Sequence, residues 1–286
     1  MLDLLADHWW SMPLPPTNGE KSMRRALISA VAVLMLLPGI GRAQTGVEGA
    51  LHRFGASVAR DYRLYYSPPE LVRLGIVVGA GGVLANTSLD GNFARFYQDH
   101  VRNGFTDSLA RPFNKAGHST AVALPLIYLG AMVVGGYGSE SGSGSAVATW
   151  GDRSLRAFIL GAPQQVLLTH LLGSYRPTQG NSHWHPFRSH HGVSGHAFYG
   201  AIPFLTGAEM ARTPWIKYTL YAASVLPAWA RINANKHYLS QVFLGWTMAY
   251  LATETVARSD ARHQREASFT PMVFPGGAGV ALHMSF

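Results

Sequence analysis

The chain has 286 residues, enough for one domain with a sizeable core, and its charged side chains make up 13 % of it, about half the usual share. The formal net charge is +8, and the basic residues are scattered rather than gathered on one stripe, which excludes a nucleic-acid-binding surface. With no cysteine, disulfides and thiolate metal sites are excluded as well. An apolar chain with a basic tint suits an anionic substrate or an anionic membrane face, although general solubility and a positive-inside bias explain the charge equally well.

Residues 1–22, with Trp9-Trp10 and Pro13, Pro15 and Pro16, match no regular element and are read as an N-terminal extension. Met23-Arg24-Arg25, the apolar run 26–37 and the Gly41-Arg42-Ala43 end are the basic, apolar and small-residue parts of a secretory signal. Residues 23–43 are therefore expected to be a signal peptide with the mature chain starting near Gln44; the alternative is an uncleaved membrane anchor. From Gly46 to Leu64 a mixed pattern predicts helix. Pro68-Pro69 then opens a Gly- and Ala-rich run from Leu71 to Ala85 that ends in the turn-like Asn86-Thr87-Ser88. Between Phe93 and Phe113, Phe93, Phe96, Tyr97, Val101, Phe105 and Leu109 recur at helical spacing, which predicts one amphipathic surface helix whose aromatics contact the core.

Thr120 to Val134 is the most apolar stretch, and a Gly/Ser loop follows over 135–145. Further apolar helices read at Leu155 to Leu172, Ala197 to Met210, Trp215 to Trp229 and Val242 to Ala257. Phe269 to Phe286 alternates around Pro275-Gly276-Gly277, the pattern of a β-hairpin. The expected fold is all-α, a helical bundle of about six core helices over 44–262, with a tail or hairpin over 263–286. A bilayer-spanning helix needs about 20 mostly apolar residues. Most of these runs are shorter or carry Gln164, Gln165, His170, Glu209 or Glu254, which favours buried core helices, while Thr120 to Val134 argues for an integral membrane protein.

Three clusters between Thr169 and Gln241 share an affinity for a phosphate-like anion. Arg176 and Arg231 each offer a planar, permanently charged fork that holds two anion oxygens at once. Ser194-Gly195-His196 precedes the apolar run 197–205, so it is expected to open a helix whose free N–H groups face the same anion, with Gly195 allowing close approach. His237 and Gln241 are four residues apart; on a helix they would share a face, the Gln241 carbonyl accepting from one ring nitrogen and leaving the other free to attack.

These residues resemble the motifs of the type 2 phosphatidic acid phosphatase superfamily, which includes bacterial acid phosphatases and vanadium haloperoxidases. The matching pieces are Tyr175-Arg176-Pro177, Val193-Ser194-Gly195-His196, and Ala230-Arg231 followed by His237 and Gln241, in the family's order and internal spacing. The resemblance implies a helical fold in which His237 attacks phosphorus, His196 protonates the leaving oxygen, and Arg176, Ser194, Gly195 and Arg231 cradle the phosphoryl group. It departs at Thr169, where the family has a lysine and which is expected to line the phosphate site, at Val193 for proline, at Ala230 for serine, and at Gln241 for the aspartate that orients the nucleophile. A neutral amide fixes a tautomer but does not stabilise an imidazolium; the analogous carboxylate of a serine-protease triad is worth about ten-thousandfold in rate.

The function implied is a phosphatase, slowed by the departures at Thr169 and Gln241, acting on a phosphomonoester or diphosphate through a phosphohistidine; an envelope setting suits a lipid phosphate or polyprenyl diphosphate, and the family also cleaves small soluble esters. It needs no cofactor and no metal. The alternatives are a catalytically impaired phosphate- or lipid-binding relic, and a vanadate-dependent haloperoxidase with His237 on vanadium. Membrane association and a place in the cell envelope are expected, periplasmic by the signal; an inner-membrane protein with an outward-facing site is the alternative. His183, His185, His190 and His191 lie between the first two motifs with Trp184 and Phe187. Imidazole suits zinc, but carboxylate or thiolate partners and regular spacing are absent, so these residues are expected to line the pocket mouth, His190 or His191 adding positive charge in place of the lysine.

Overall fold

The computed structural model describes residues 44–116, 120–136, 145–265, 268–274 and 277–283; the extension and signal expected over 1–43, and most of the Gly/Ser loop, lie outside them. The helices are α1 (Gln44–Tyr65), α2 (Pro68–Ala85), α3 (Ser88–Phe96), a π-helical turn (Tyr97–Val101), α4 (Gly104–Ala116), α5 (Thr120–Val134), α6 (Ala146–Leu172), α7 (Gly195–Met210), α8 (Pro214–Ser224), α9 (Leu226–Asn233) and α10 (Leu239–Arg265). After α10, Ser268–Phe274 pairs antiparallel with Gly277–His283. The protein is an all-α bundle.

Local chemistry sets most of the starts. Proline stands in the first turn of α2, α8 and α9, where its missing N–H costs nothing. Thr87 and Ser145 cap α3 and α6 with their side-chain oxygens. Two expected helices are each broken in two. Within Phe93–Phe113 the side chain of Asn103 accepts from the N–H groups of Phe105 and Thr106, at 2.9 and 3.1 Å, and so starts a new helix inside an unbroken apolar period. Its aromatics divide as well: Tyr97 is buried, whereas Phe96 and Phe105 are 56 % and 71 % exposed. Trp215–Trp229 breaks at Val225, because Pro227 has no N–H to give and its ring crowds the preceding turn. The last helix runs to Arg265, past the expected boundary at 262.

The core lies where α7 packs between α6 and α10, on the fully buried Leu160, Phe198, Ile202, Leu205, Leu244 and Met248. Gly245 allows the closest approach: a Cβ there would stand 2.4 Å from the carbonyl oxygen of Ser194. That contact joins the first turns of α10 to the start of α7. Farther along, Arg156 of α6, 2 % exposed in its side chain, bonds Asp61 of α1 at 2.8 Å, Asp152 at 2.9 Å and Asp260 of α10 at 2.8 Å. Among the described residues α2 is the helix long and apolar enough to cross a bilayer, with Val72, Ile76 and Val83 exposed. The most apolar stretch, α5, has 15 residues and falls short of that length.

Candidate active site

Four chain segments meet at one end of the bundle. Ser194 is the N-cap of α7: fully buried, its side chain accepts from the Ala197 N–H at 3.4 Å, and its own N–H bonds the Gln241 carbonyl of α10 at 2.9 Å. The helix start expected at Ser194-Gly195-His196 is therefore present, and an α-helix N-terminus carries the partial positive charge that attracts an anion. His196 stands in the first turn of α7 and acts on the ionisation of His237.

Arg231 sits in the last turn of α9, 8 % exposed, with Nη1 donating to Asn114 Oδ1 of α4 at 3.0 Å. The helix then ends on Asn235 in the left-handed conformation (φ 52°), and the Lys236 N–H returns to the Arg231 carbonyl at 3.0 Å. This termination turns the chain back toward the site and delivers His237. Arg176 follows the end of α6 in a turn in which its carbonyl accepts from Gln179 at 2.8 Å and Gly180 at 3.1 Å. The Nε atoms of Arg176 and Arg231 are both buried without a protein acceptor.

His237 is 7 % exposed and precedes α10 rather than lying on it, so its link to Gln241 is not the helix-face pair expected from the spacing. Gln241 occupies the third position of α10 and folds back over the start of the helix. Its Oε1 accepts from His237 Nδ1 at 2.8 Å and from the Tyr238 N–H at 3.2 Å, the reach-back of a capping box. Its Nε2 donates to Ser174 Oγ at 3.0 Å and to the Tyr175 carbonyl at 2.8 Å. Those two acceptors determine which way the amide faces. Nδ1 of His237 consequently carries the proton and Nε2 keeps its lone pair.

The electrostatics follow from the company His237 keeps. Burial lowers its pKa, the bond to Gln241 opposes that, and the neighbouring Arg231, His196 and Arg176 lower it further, to about 3. Arg231 is itself lowered, by burial and by Arg176, as expected of two guanidinium groups held close together. The arrangement suits a tetrahedral oxyanion: cations and a helix N-terminus to hold its oxygens, and a neutral imidazole beside them to attack.

Three expectations change. Thr169 is buried beneath the site, its hydroxyl accepting from Gln165 Nε2 at 2.8 Å and lying 2.8 Å from the Gln165 carbonyl and 3.2 Å from that of Val193. It holds the loop before Ser194 to α6 in place of the expected phosphate contact. Of the loop histidines only His191 has its ring against His237, with centroids 6.4 Å apart, while His190 packs on His170 and His185 on Tyr175. Burial, Arg176 and His190 hold the His191 pKa below its ordinary value, so His191 is neutral at neutral pH and does not replace a lysine's charge. Among the described residues no group of three His, Asp or Glu side chains is placed to hold a metal ion.

The loop itself is stitched to the end of α6. Gly173 (φ 54°) is where the strands of chain cross, since a Cβ there would stand 2.1 Å from the His185 carbonyl oxygen. Two supporting residues escaped sequence reading. Ser174, fully buried, passes the Gln241 contact on to the Ser182 carbonyl at 2.8 Å, and Asp90 of α3 caps α10 by accepting from the Ser240 N–H at 2.9 Å. Ser174 adjoins a motif and could have been suspected; Asp90, 150 residues from its partner, had no such signal. Compared with protein-family models, curated proteins and solved structures, the chain has no significant match, so the family resemblance rests on the three motifs.

Proposed function

We propose that the protein is a phosphoric ester hydrolase that passes a phosphoryl group through His237. Nε2 of His237 forms a bond to phosphorus as the bond to the leaving oxygen breaks, and His196 gives its proton to that oxygen. Water, deprotonated by His196, then attacks the phosphohistidine and releases inorganic phosphate. Arg176, Arg231, Ser194 and the N-terminus of α7 stabilise the charge on the transferring group. The reading is carried by the Gln241 amide, whose four bonds leave His237 protonated at Nδ1 and nucleophilic at Nε2. Phosphomonoesters and diphosphates, lipid phosphates among them, are the substrate class, and the cell envelope is the proposed location.

A second reading, an anion-binding protein without turnover, draws on the same amide: the partner of His237 Nδ1 is a neutral Gln241 oxygen rather than a carboxylate that would steady the imidazolium phosphorylation creates. One experiment separates the two. Phosphate release is measured across a panel of phosphate esters, and labelled substrate is quenched in alkaline denaturant, where a phosphoramidate survives. Turnover with label on wild type, and neither on a folded His237→Ala variant, supports the hydrolase. Stoichiometric phosphate binding without release identifies the binding protein, and near-full activity in His237→Ala refutes the assignment of the nucleophile.

A further inference from the structure

Arg231 is held from outside the motif region. Its Nη1 donates to Oδ1 of Asn114, 117 residues earlier on α4, at 3.0 Å. The same amide is fixed at its other end, Asn114 Nδ2 donating to the carbonyl of Ala230 at 3.2 Å. With the nitrogen committed to a carbonyl, the oxygen has to face the guanidinium. Once Nη1 is engaged, the two parallel donors left to a bidentate anion are those of the Nε–Nη2 edge, and Nε is buried without a protein acceptor.

The partner chosen is neutral. A carboxylate in this position would form an ion pair with Arg231 and compete with any anion for its charge, whereas an amide orients the group and leaves the charge unspent. The support is carried by a helix with its own ties to α9. Asn233 donates to Asp107 of α4 at 2.7 Å, and Asp107 is paired with Arg102 at 3.0 Å. Just before α4, Gln98 donates to the Ile232 carbonyl at 2.9 Å and Tyr97 to Asn233 Oδ1 at 3.1 Å. The eight-residue α9 is thus gripped on both sides of Arg231 by one continuous segment, from Tyr97 to Asn114.

We propose that Asn114 is a positioning residue of the anion site, fixing which edge of Arg231 meets the bound oxyanion and making α4 part of that site. The proposal rests on Arg231 being an anion ligand, and its test separates the two ideas. Inorganic phosphate binding to the full chain is measured by calorimetry at fixed pH and ionic strength for wild type, Asn114→Asp, Asn114→Ala and Arg231→Ala, with thermal unfolding of each in phosphate-free buffer. Asn114→Asp keeps the contact to Arg231, adds a charge and gives up the donation to the Ala230 carbonyl, which still accepts from the Ala234 N–H at 3.0 Å. A purely structural role predicts unchanged phosphate affinity wherever the fold is kept. A positioning role predicts an Asn114→Asp protein that unfolds within a few degrees of wild type yet binds phosphate about tenfold or more weakly, with Asn114→Ala intermediate. If the aspartate variant does not fold, a folded Asn114→Ala with weakened phosphate binding supports the proposal. Wild-type affinity in any folded Asn114 variant, alongside a clear loss in Arg231→Ala, overturns it and leaves the anion site standing. Equal binding in wild type and Arg231→Ala, or none in wild type, removes the anion-site reading and this proposal with it.

Discussion

At Gln241 four hydrogen bonds converge on one amide with no exposed surface, two received by its oxygen and two given by its nitrogen. From the sequence alone Gln241→Asp has two outcomes: it accelerates phosphorylation if the amide merely orients His237, and slows it if the pocket is tuned around the amide, because the added carboxylate then repels the anionic substrate. The structure favours the second outcome, because a carboxylate has no proton to give the half-buried Tyr175 carbonyl, a loss of about 1–3 kcal/mol. Gln241→Asp, also one carbon shorter, should therefore be less stable to urea and slower in single turnover, and the length-preserving Gln241→Glu should be less stable as well. A faster phosphorylation step in either variant would show that the amide is dispensable. The motif residues were readable because each carries its chemistry in its side chain. The role of Thr169 was not, since whether a hydroxyl faces a ligand or a carbonyl depends on a loop 24 residues away.

The depressed pKa of His237 has its own signature in the pH profile. A nucleophile protonated only near pH 3 keeps the acid limb of kcat/KM near that value rather than near about 6.5, the ordinary range for histidine. Arg231→Gln removes one of the positive neighbours that lower the pKa, so its residual activity should show the acid limb moved upward. An acid limb near 6 in wild type would mean that His237 is not the group titrating.

Among the elements, those announced by prolines, caps and long apolar runs could be read directly: Thr120–Val134 was expected with the bounds it has, and Pro68-Pro69 opens α2 as anticipated. What escaped reading was the break between α3 and α4, because the apolar period continues across Asn103 and only its cap bonds interrupt the helix. The tie of α1, α6 and α10 through Arg156 was equally hidden, its partners lying 95 and 104 residues away. Removing a buried partner from such a cluster is costly because the remaining charges are stranded. Arg156→Leu should lose about 3–5 kcal/mol in urea unfolding, and a loss below about 1 kcal/mol would mean that the carboxylates relax into water.

For the whole molecule, the wide sequence span of the site has a kinetic consequence. Asn114 reaches Arg231 across 117 residues, and Gln241 reaches Ser174 across 67. Contacts of that separation close large loops, and the entropy of closure places them late in folding, after the local helical turns. A ligand that recognises only the completed site has nothing to hold in a transition state where those contacts are unformed. Phosphate should accordingly stabilise the native state by slowing its unfolding while leaving the refolding rate unchanged. Stopped-flow chevrons with and without phosphate would display the difference as a displaced unfolding arm beside a superimposed folding arm. A displaced folding arm would place the anion site among the first parts of the fold to form.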